Sequence, residues 1–397
     1  MSSLRKAASS FVRFFNFHIL WPLIFKWHST KDPDPKKYII ADAFSHGLTD
    51  NMIPVYEFLA HDKNNKFVFC FAPVMNGSKL HDVHALYRMF RNFIRNYADA
   101  GTVILTESFL PAYSCRPRRG THVYQLWHAC GAFKKWGYTT LDLGWGADRK
   151  SVRKYPLHNC YSAAFVSSAS VVPYYASAFN CKEDIIKPLG TPRTDIFFDG
   201  AFVRSAKDEI RNFYDINEKE KLIVYAPTFR GENINKAVSG DGIDAEELLG
   251  ALPEGYKLIV KYHPYVKEKF EPSENVRGKA FAADKIFTTE KYLCAADILI
   301  TDYSSLIFEY SLLNKPAVFY AYDLENYIHD RDFFVPYEDF VPGPIVKDTE
   351  ELVAAIKDAE NQDPAVMSTF RKKYMDACDG HSTHRIINYI RQQKAAQ

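Results

Sequence analysis

Four segments carry phosphate-handling side chains directly behind short, apolar, β-rich runs. Thr228 and Arg230 follow Leu222–Ala226, Lys261 and His263 follow Leu258–Val260, Asp302 with Ser304 and Ser305 follows Ile298–Thr301, and Asp323 follows Ala317–Tyr320. Arg offers bidentate geometry to phosphate, and a histidine flanked by lysine and stiffened by Pro264 is made for a fixed contact. Ser304 and Ser305 open a helical run through Phe308, Glu309 and Leu312. Serines there place hydroxyls and free backbone N–H groups at the positive end of a helix dipole, an anion site suited to a pyrophosphate. The bland alternative is that Ser304 only caps the helix. Glu309 shares the helical face of Ser305 and either reaches a ribose hydroxyl or points to water. A fifth segment, Trp127-His128-Ala129-Cys130-Gly131 onward to Tyr138, also follows a strand-like run. Its histidine is either a general base toward an incoming hydroxyl or a satisfied buried side chain.

The elements that must position these residues read as α/β throughout. Beyond residue 37, apolar runs alternate with helical stretches: Tyr38–Ile40, Phe67–Phe71, Val103–Leu105, Val123–Trp127 and Ala164–Val166 in the first half, then the four runs above. That alternation predicts two parallel-sheet, Rossmann-like domains facing a cleft, the two-domain architecture of nucleotide-sugar transferases, with ligands at the carboxyl ends of the strands. Leu86, Met89, Phe90, Phe93, Ile94 and Tyr97 predict an amphipathic helix whose other face shows Arg88, Arg91 and Arg95. With the loop Arg116-Pro-Arg118-Arg119, these cations form a local basic surface that would attract a phosphorylated or membrane-bound partner, or are merely solvated. The turn-rich Gly190–Asp195 marks the boundary. The expected domains are thus 1–36, an apolar segment and linker; 37–195, an acceptor-side domain; and 196–397, a donor-binding domain ending in a helix.

Composition excludes several classes. The 50 Lys+Arg against 48 Asp+Glu in 397 residues leave +2, so there is no global polycation to clamp nucleic acid. Seven cysteines without C-x-x-C spacing predict reduced, buried thiols rather than zinc or disulfides, with Cys130 the one beside a motif. Neither G-x-G-x-x-G nor a Walker lysine loop occurs, which disfavours dinucleotide and P-loop chemistry. Asp32-Pro-Asp34 and Asp330-Arg-Asp332 follow no strand, so no metal and no cofactor are expected. His, Lys, Arg and helix dipoles would then neutralise a diphosphate leaving group. The stretch Phe11–Trp27 is rich in Phe, Ile, Leu and Trp, yet its longest uncharged run, Phe14–Phe25, is 12 residues, against about 20 for a span. It reads as an interfacial segment, Trp21 and Trp27 at headgroup depth beside Arg5, Lys6, Arg13 and Lys26, or as a helix docked on protein.

Taken together, these segments resemble the CDP-glycerol glycerophosphotransferases of teichoic acid and capsule synthesis. The resemblance is carried by Ile298–Val346, Trp127-His128, Gly190–Asp195, Ala226–Arg230, Lys261–Pro264 and the tail Asp379-Gly-His-Ser-Thr-His-Arg385. It implies a GT-B type fold and transfer of a polyol phosphate, glycerol first or ribitol, from a CDP-alditol to a lipid-linked saccharide or growing polyol-phosphate polymer, with release of CMP. His128 would be the base and His263 would ease departure of CMP. Thr228, Arg230, Lys261, Asp302, Ser304, Ser305, Glu309, Asp379, Ser382, Thr383 and Arg385 would hold the donor. The implied location is peripheral, on the cytoplasmic face of a bacterial membrane, with a homo-oligomer left open. The family commonly has Gly straight after the first histidine; here Ala129 and Cys130 intervene, which leaves acceptor preference open. The rival readings are a nucleotide-sugar glycosyltransferase or epimerase of the same fold, and a non-catalytic membrane scaffold.

Overall fold

A computed structural model describes residues 10–395 apart from 76, 144, 145, 147, 232–236 and 241. Arg5 and Lys6 lie outside the described residues. The chain divides into two compact units, one comprising the residues up to Asp195 together with those from Ala377 onward, the other Ile196–Asp376.

The first unit begins with a helix running from residue 10 to 28, with a π turn at Asn16–Leu20 and α1 at Trp21–His28. Six parallel strands follow: β1 (Asp34–Asp42), β2 (Lys66–Phe71), β3 (Ala100–Leu105), β4 (His122–Gln125), β5 (Ala163–Phe165) and β6 (Ile186–Lys187), in the order β2-β1-β3-β4-β5-β6. β1 starts at Asp34, so the proline-marked linker is shorter than the sequence suggests. The predicted amphipathic helix is α2 (Lys79–Tyr97); Met89, Phe93, Ile94 and Tyr97 are buried, while Arg88, Arg91 and Arg95 face solvent. The N-terminal helix is docked on the first unit along one side and exposed along the other. Phe17 and Trp21 are buried, Trp21 edge-on to Phe90 at 5.5 Å, so Trp21 is core rather than headgroup-level, whereas Trp27 is 81% exposed.

The second unit is a six-stranded parallel sheet of β7 (Lys221–Tyr225), β8 (Tyr256–Val260), β9 (Ala280–Ala282), β10 (Ile298–Thr301), β11 (Ala317–Tyr320) and β12 (Ile345–Val346). Its order, β12-β11-β10-β7-β8-β9, is the doubly wound 3-2-1-4-5-6 arrangement, with the switch point between β7 and β10. The four predicted strands are β7, β8, β10 and β11. Ile223, Leu258, Ile300 and Val318 are fully buried in one core with Leu248 and Leu352 from flanking helices. α3 (Leu306–Ser311) follows β10 after a short turn.

The last element corrects the expected domain division. α4 (Ser382–Ala395) belongs to the first unit: Ile386, Ile387 and Ile390 are buried with Ile40, Tyr124 and Phe165 of its sheet. The apolar face of the tail had a partner sheet before the boundary, not after it.

Candidate functional site

In the second unit, the expected residues gather at the carboxyl ends of β7, β8 and β10, with β7 and β10 forming the switch point where doubly wound sheets bind ligands. Asp302, 2% exposed, joins the two strand ends: one carboxylate oxygen accepts from the backbone N–H of Thr228 (2.8 Å) and of Tyr303 (2.6 Å). Arg230 Nη1 is 2.9 Å from the other oxygen. Arg230 also donates through Nε (2.6 Å) and Nη2 (2.9 Å) to Asp323, and through Nη1 to the Thr228 carbonyl (2.6 Å). Tyr303, Tyr322 and Tyr327 rings surround the guanidinium at 5.2–5.6 Å, and Tyr303 Oη donates to Asp323 at 2.9 Å.

This network revises three expectations. Arg230, Asp302 and Asp323 spend their charges on one another, so they shape the floor of the switch point instead of presenting charge to a phosphate. Against the effect of burial, the two neighbouring carboxylates raise the Arg230 guanidinium further above its already high range. Beside this floor stand Thr228, Lys261, His263 and Ser304. Thr228 Oγ1 is buried without a hydrogen-bond partner among the described residues. Lys261 is pushed below its ordinary range by burial. His263 Nδ1 accepts the backbone N–H of Tyr265 at 3.2 Å, so the neutral ring carries its proton on Nε2. Ser304 Oγ accepts the first helical N–H, that of Leu306, at 3.3 Å, while Ser305 at the N-cap position makes no side-chain cap bond. Glu309 is buried, 3% exposed, rather than solvated.

The first unit holds His128 just beyond β4. Its Nδ1 is 2.8 Å from Glu107 Oε1, and half of the side chain is exposed. A carboxylate on Nδ1 fixes that nitrogen as the donor and leaves Nε2 with its lone pair, the form a general base requires. One residue, Gln125, fully buried at the end of β4, ties the backbone of Glu107 to that of Trp127, the neighbour of His128. Gln125 Nε2 donates to the Glu107 carbonyl (3.1 Å), and its Oε1 accepts the Trp127 N–H (2.9 Å). Trp127 sits at φ +59°, a left-handed conformation costly for a bulky residue. Asn51 Nδ2 on its carbonyl (2.9 Å) and Trp136 stacked on its indole (4.4 Å) hold it there. Sequence reasoning missed Glu107, Gln125 and Asn51; the one available signal for Glu107 was its place two residues beyond the apolar run Val103–Leu105.

The tail residues also lie in the first unit and face each other. Asp195 accepts the backbone N–H of Ser382 (2.9 Å) and of Thr383 (2.8 Å), so a carboxylate of the chain itself occupies the N-terminus of α4. Arg385 donates to the Leu189 carbonyl (3.0 Å), to the Ala377 carbonyl and to Asp379 (2.8 Å). Gly190, at φ +91°, passes so close that a Cβ would overlap the Ala377 carbonyl and Ser382. Asp379 and Arg385, expected to hold the donor, are thus engaged in a clasp that seats α4. The Ser382 and Thr383 hydroxyls are buried without partners among the described residues. None of the seven cysteines is in a disulfide, and six of them are buried.

Several known proteins resemble this chain in sequence or in fold. The chain is 35% identical over 363 residues to the teichoic acid ribitol-phosphate primase of Bacillus spizizenii, covering 89% of this chain and 90% of that one. It is 31% identical over 317 residues to the teichoic acid glycerol-phosphate primase of Bacillus subtilis, covering 78% and 76%. The solved structure of the wall teichoic acid polymerase TagF matches with a TM-score of 0.75 at 20% identity, over 100% of both chains, which speaks for the fold. A Staphylococcus aureus MnaA–UDP structure matches more distantly, at a TM-score of 0.54 and 12% identity over 90% of this chain and 96% of that one. A model of the CDP-glycerol:poly(glycerophosphate) glycerophosphotransferases matches residues 23–392, and the chain belongs to that family.

Proposed function

We propose that this enzyme transfers a polyol phosphate from a CDP-alditol to a hydroxyl of a lipid-linked saccharide or growing teichoic acid polymer. The observation that carries the reading is the His128–Glu107 pair, a base held in its working tautomer, in a member of this family. Nε2 of His128 takes the acceptor proton as the oxygen attacks the β-phosphorus. The bond between that phosphorus and the oxygen of CMP breaks, and a phosphodiester and CMP result. His263 Nε2–H and Lys261 stabilise the charge gathering on the departing phosphate, with the Thr228 and Ser304 hydroxyls as further contacts. In this reading these groups act without a bound metal, so turnover should persist in EDTA. The greater identity to a ribitol-phosphate primase than to a glycerol-phosphate primase puts CDP-ribitol forward as donor, where the sequence alone put glycerol first.

Peripheral attachment to a membrane surface belongs to the same proposal, supported by the exposed aromatic face of the N-terminal helix. No described helix is long and apolar enough to cross a membrane. The deciding experiment is CMP release with CDP-ribitol and CDP-glycerol in parallel, offered a lipid-linked disaccharide and a polyol-phosphate oligomer. His128→Ala and His263→Ala should each lose about 10²–10⁴-fold in kcat while folding normally. Full activity in either variant refutes the role of the histidine it lacks.

A further inference from the structure

The N-terminal helix shows a row of exposed apolar residues at four-residue spacing: Phe11, Phe15, Ile19, Leu23 and Trp27. A four-residue step oversteps the 3.6-residue turn, so such a row drifts around a plain α-helix. The π turn at Asn16–Leu20 underwinds the chain midway and opposes that drift. The row runs for about 24 Å at 1.5 Å per residue, while Phe17 and Trp21 behind it are docked on the fold.

At the end of this row, where Trp27 gives way to His28, lies a cavity of about 350 Å³ whose lining includes His28, Lys31, Lys37, Arg95 and Asp99. Four basic side chains meet one carboxylate there, and Lys37 pairs with it. The pocket wall is fixed from outside: Arg118, from the predicted basic loop, donates to the carbonyls of Lys31 and Ala98. A cationic pocket that adjoins an exposed tryptophan through His28 is complementary to a phosphodiester sitting at the level of the lipid headgroups.

We infer that this pocket seats the phosphate of an anionic glycerophospholipid, held by Lys31, Arg95 and His28, while the Phe11–Trp27 row lies in the interface above the acyl chains. The inference rests on the proposed peripheral attachment and makes it site-specific. It is tested by sedimentation of the full chain with vesicles of phosphatidylcholine alone or mixed with phosphatidylglycerol. Lys31→Ala/Arg95→Ala should weaken binding to the mixed vesicles about 30-fold, from about fivefold per cation near an anionic surface. Arg88→Ala/Arg91→Ala, equal in charge but on the open face of α2, should weaken it less than about fivefold. CMP release on a soluble acceptor should stay at the wild-type level in both. Equal losses in the two variants would overturn the pocket and leave the membrane reading intact. Failure of the wild type to bind any vesicle would overturn both. Thermal stabilisation of the wild type by soluble glycerol 3-phosphate, absent in Lys31→Ala/Arg95→Ala, would reassign the pocket to a free anion. A concentration-dependent dimer abolished by Leu23→Ser/Trp27→Ser would reassign the apolar row to a second copy of the chain.

Discussion

Replacing Glu107 by Gln isolates what the carboxylate does for His128. The two side chains are near-isosteric, and the Glu107 backbone stays anchored by Gln125, so the change removes a charge and little else. At 2.8 Å, a unit charge pair is worth about 1.5 kcal/mol at a dielectric of 80 and about 3 kcal/mol at 40, the range fitting a half-exposed histidine and a partly covered carboxylate. That attraction appears only as the imidazole takes up the acceptor proton, so its loss falls on the transition state rather than on substrate binding. Glu107→Gln should therefore lower kcat about 10- to 100-fold with KM for the CDP-alditol and the unfolding temperature unchanged. Glu107→Asp, which keeps the charge at a shorter reach, should recover part of the loss. Steady-state CMP release at saturating acceptor measures both constants. A kcat within twofold of wild type would refute the positioning role. A tenfold rise in KM with kcat intact would move Glu107 to the binding of donor instead.

Arg230→Ala should lower the urea midpoint of the second unit by an amount equivalent to about 3 kcal/mol, because Asp302 and Asp323 are left without their cation. An unchanged midpoint with a raised KM for the donor would restore Arg230 to the phosphate-binding role that sequence alone assigns it. His158, buried among Trp136, Phe179 and Tyr161, is held down to about 3 by loss of hydration. The unfolded chain binds that proton more readily, so its contribution is complete above pH 6.5 and is lost as pH falls toward 3, at about 1.4 kcal/mol per unit. Urea midpoints measured from pH 7.5 down to 5 should fall less steeply in His158→Gln than in wild type; parallel slopes would contradict the assignment. Asp195→Ala strips α4 of its N-terminal partner and should cost about 1 kcal/mol, read as faster proteolysis beyond residue 377. Unaltered proteolysis would show that Arg385 alone seats the helix.

The sheet plan was legible because each strand of the second unit is a short buried run that stops where polar chemistry starts, as Ile298–Thr301 stops at Asp302. The pairing of that chemistry was not. Arg230 and Asp302 are far apart along the chain and meet only because β7 and β10 are neighbours across the switch point, an adjacency that strand sequences do not encode locally. The same holds for His128, readable as a strand-end histidine, and Glu107, which looks like any exposed acid until β3 and β4 are laid side by side. At the N-terminus, spacing alone could not divide Trp21 from Trp27. One packs on Phe90 and the other points to water, a distinction set by which side of the helix α2 covers.

The return of α4 to the first unit also sets a timetable for biosynthesis. The second unit is one continuous stretch, so it can close its core as soon as it emerges from the ribosome. The first unit, although begun earlier, must wait with Tyr124 and Phe165 uncovered until Ile386, Ile387 and Ile390, made after the whole of the second unit, arrive. A premature stop after Asp376 would thus spare the second unit and leave the half carrying His128 with an open apolar wound, a substrate for chaperones and proteases rather than a weakened enzyme.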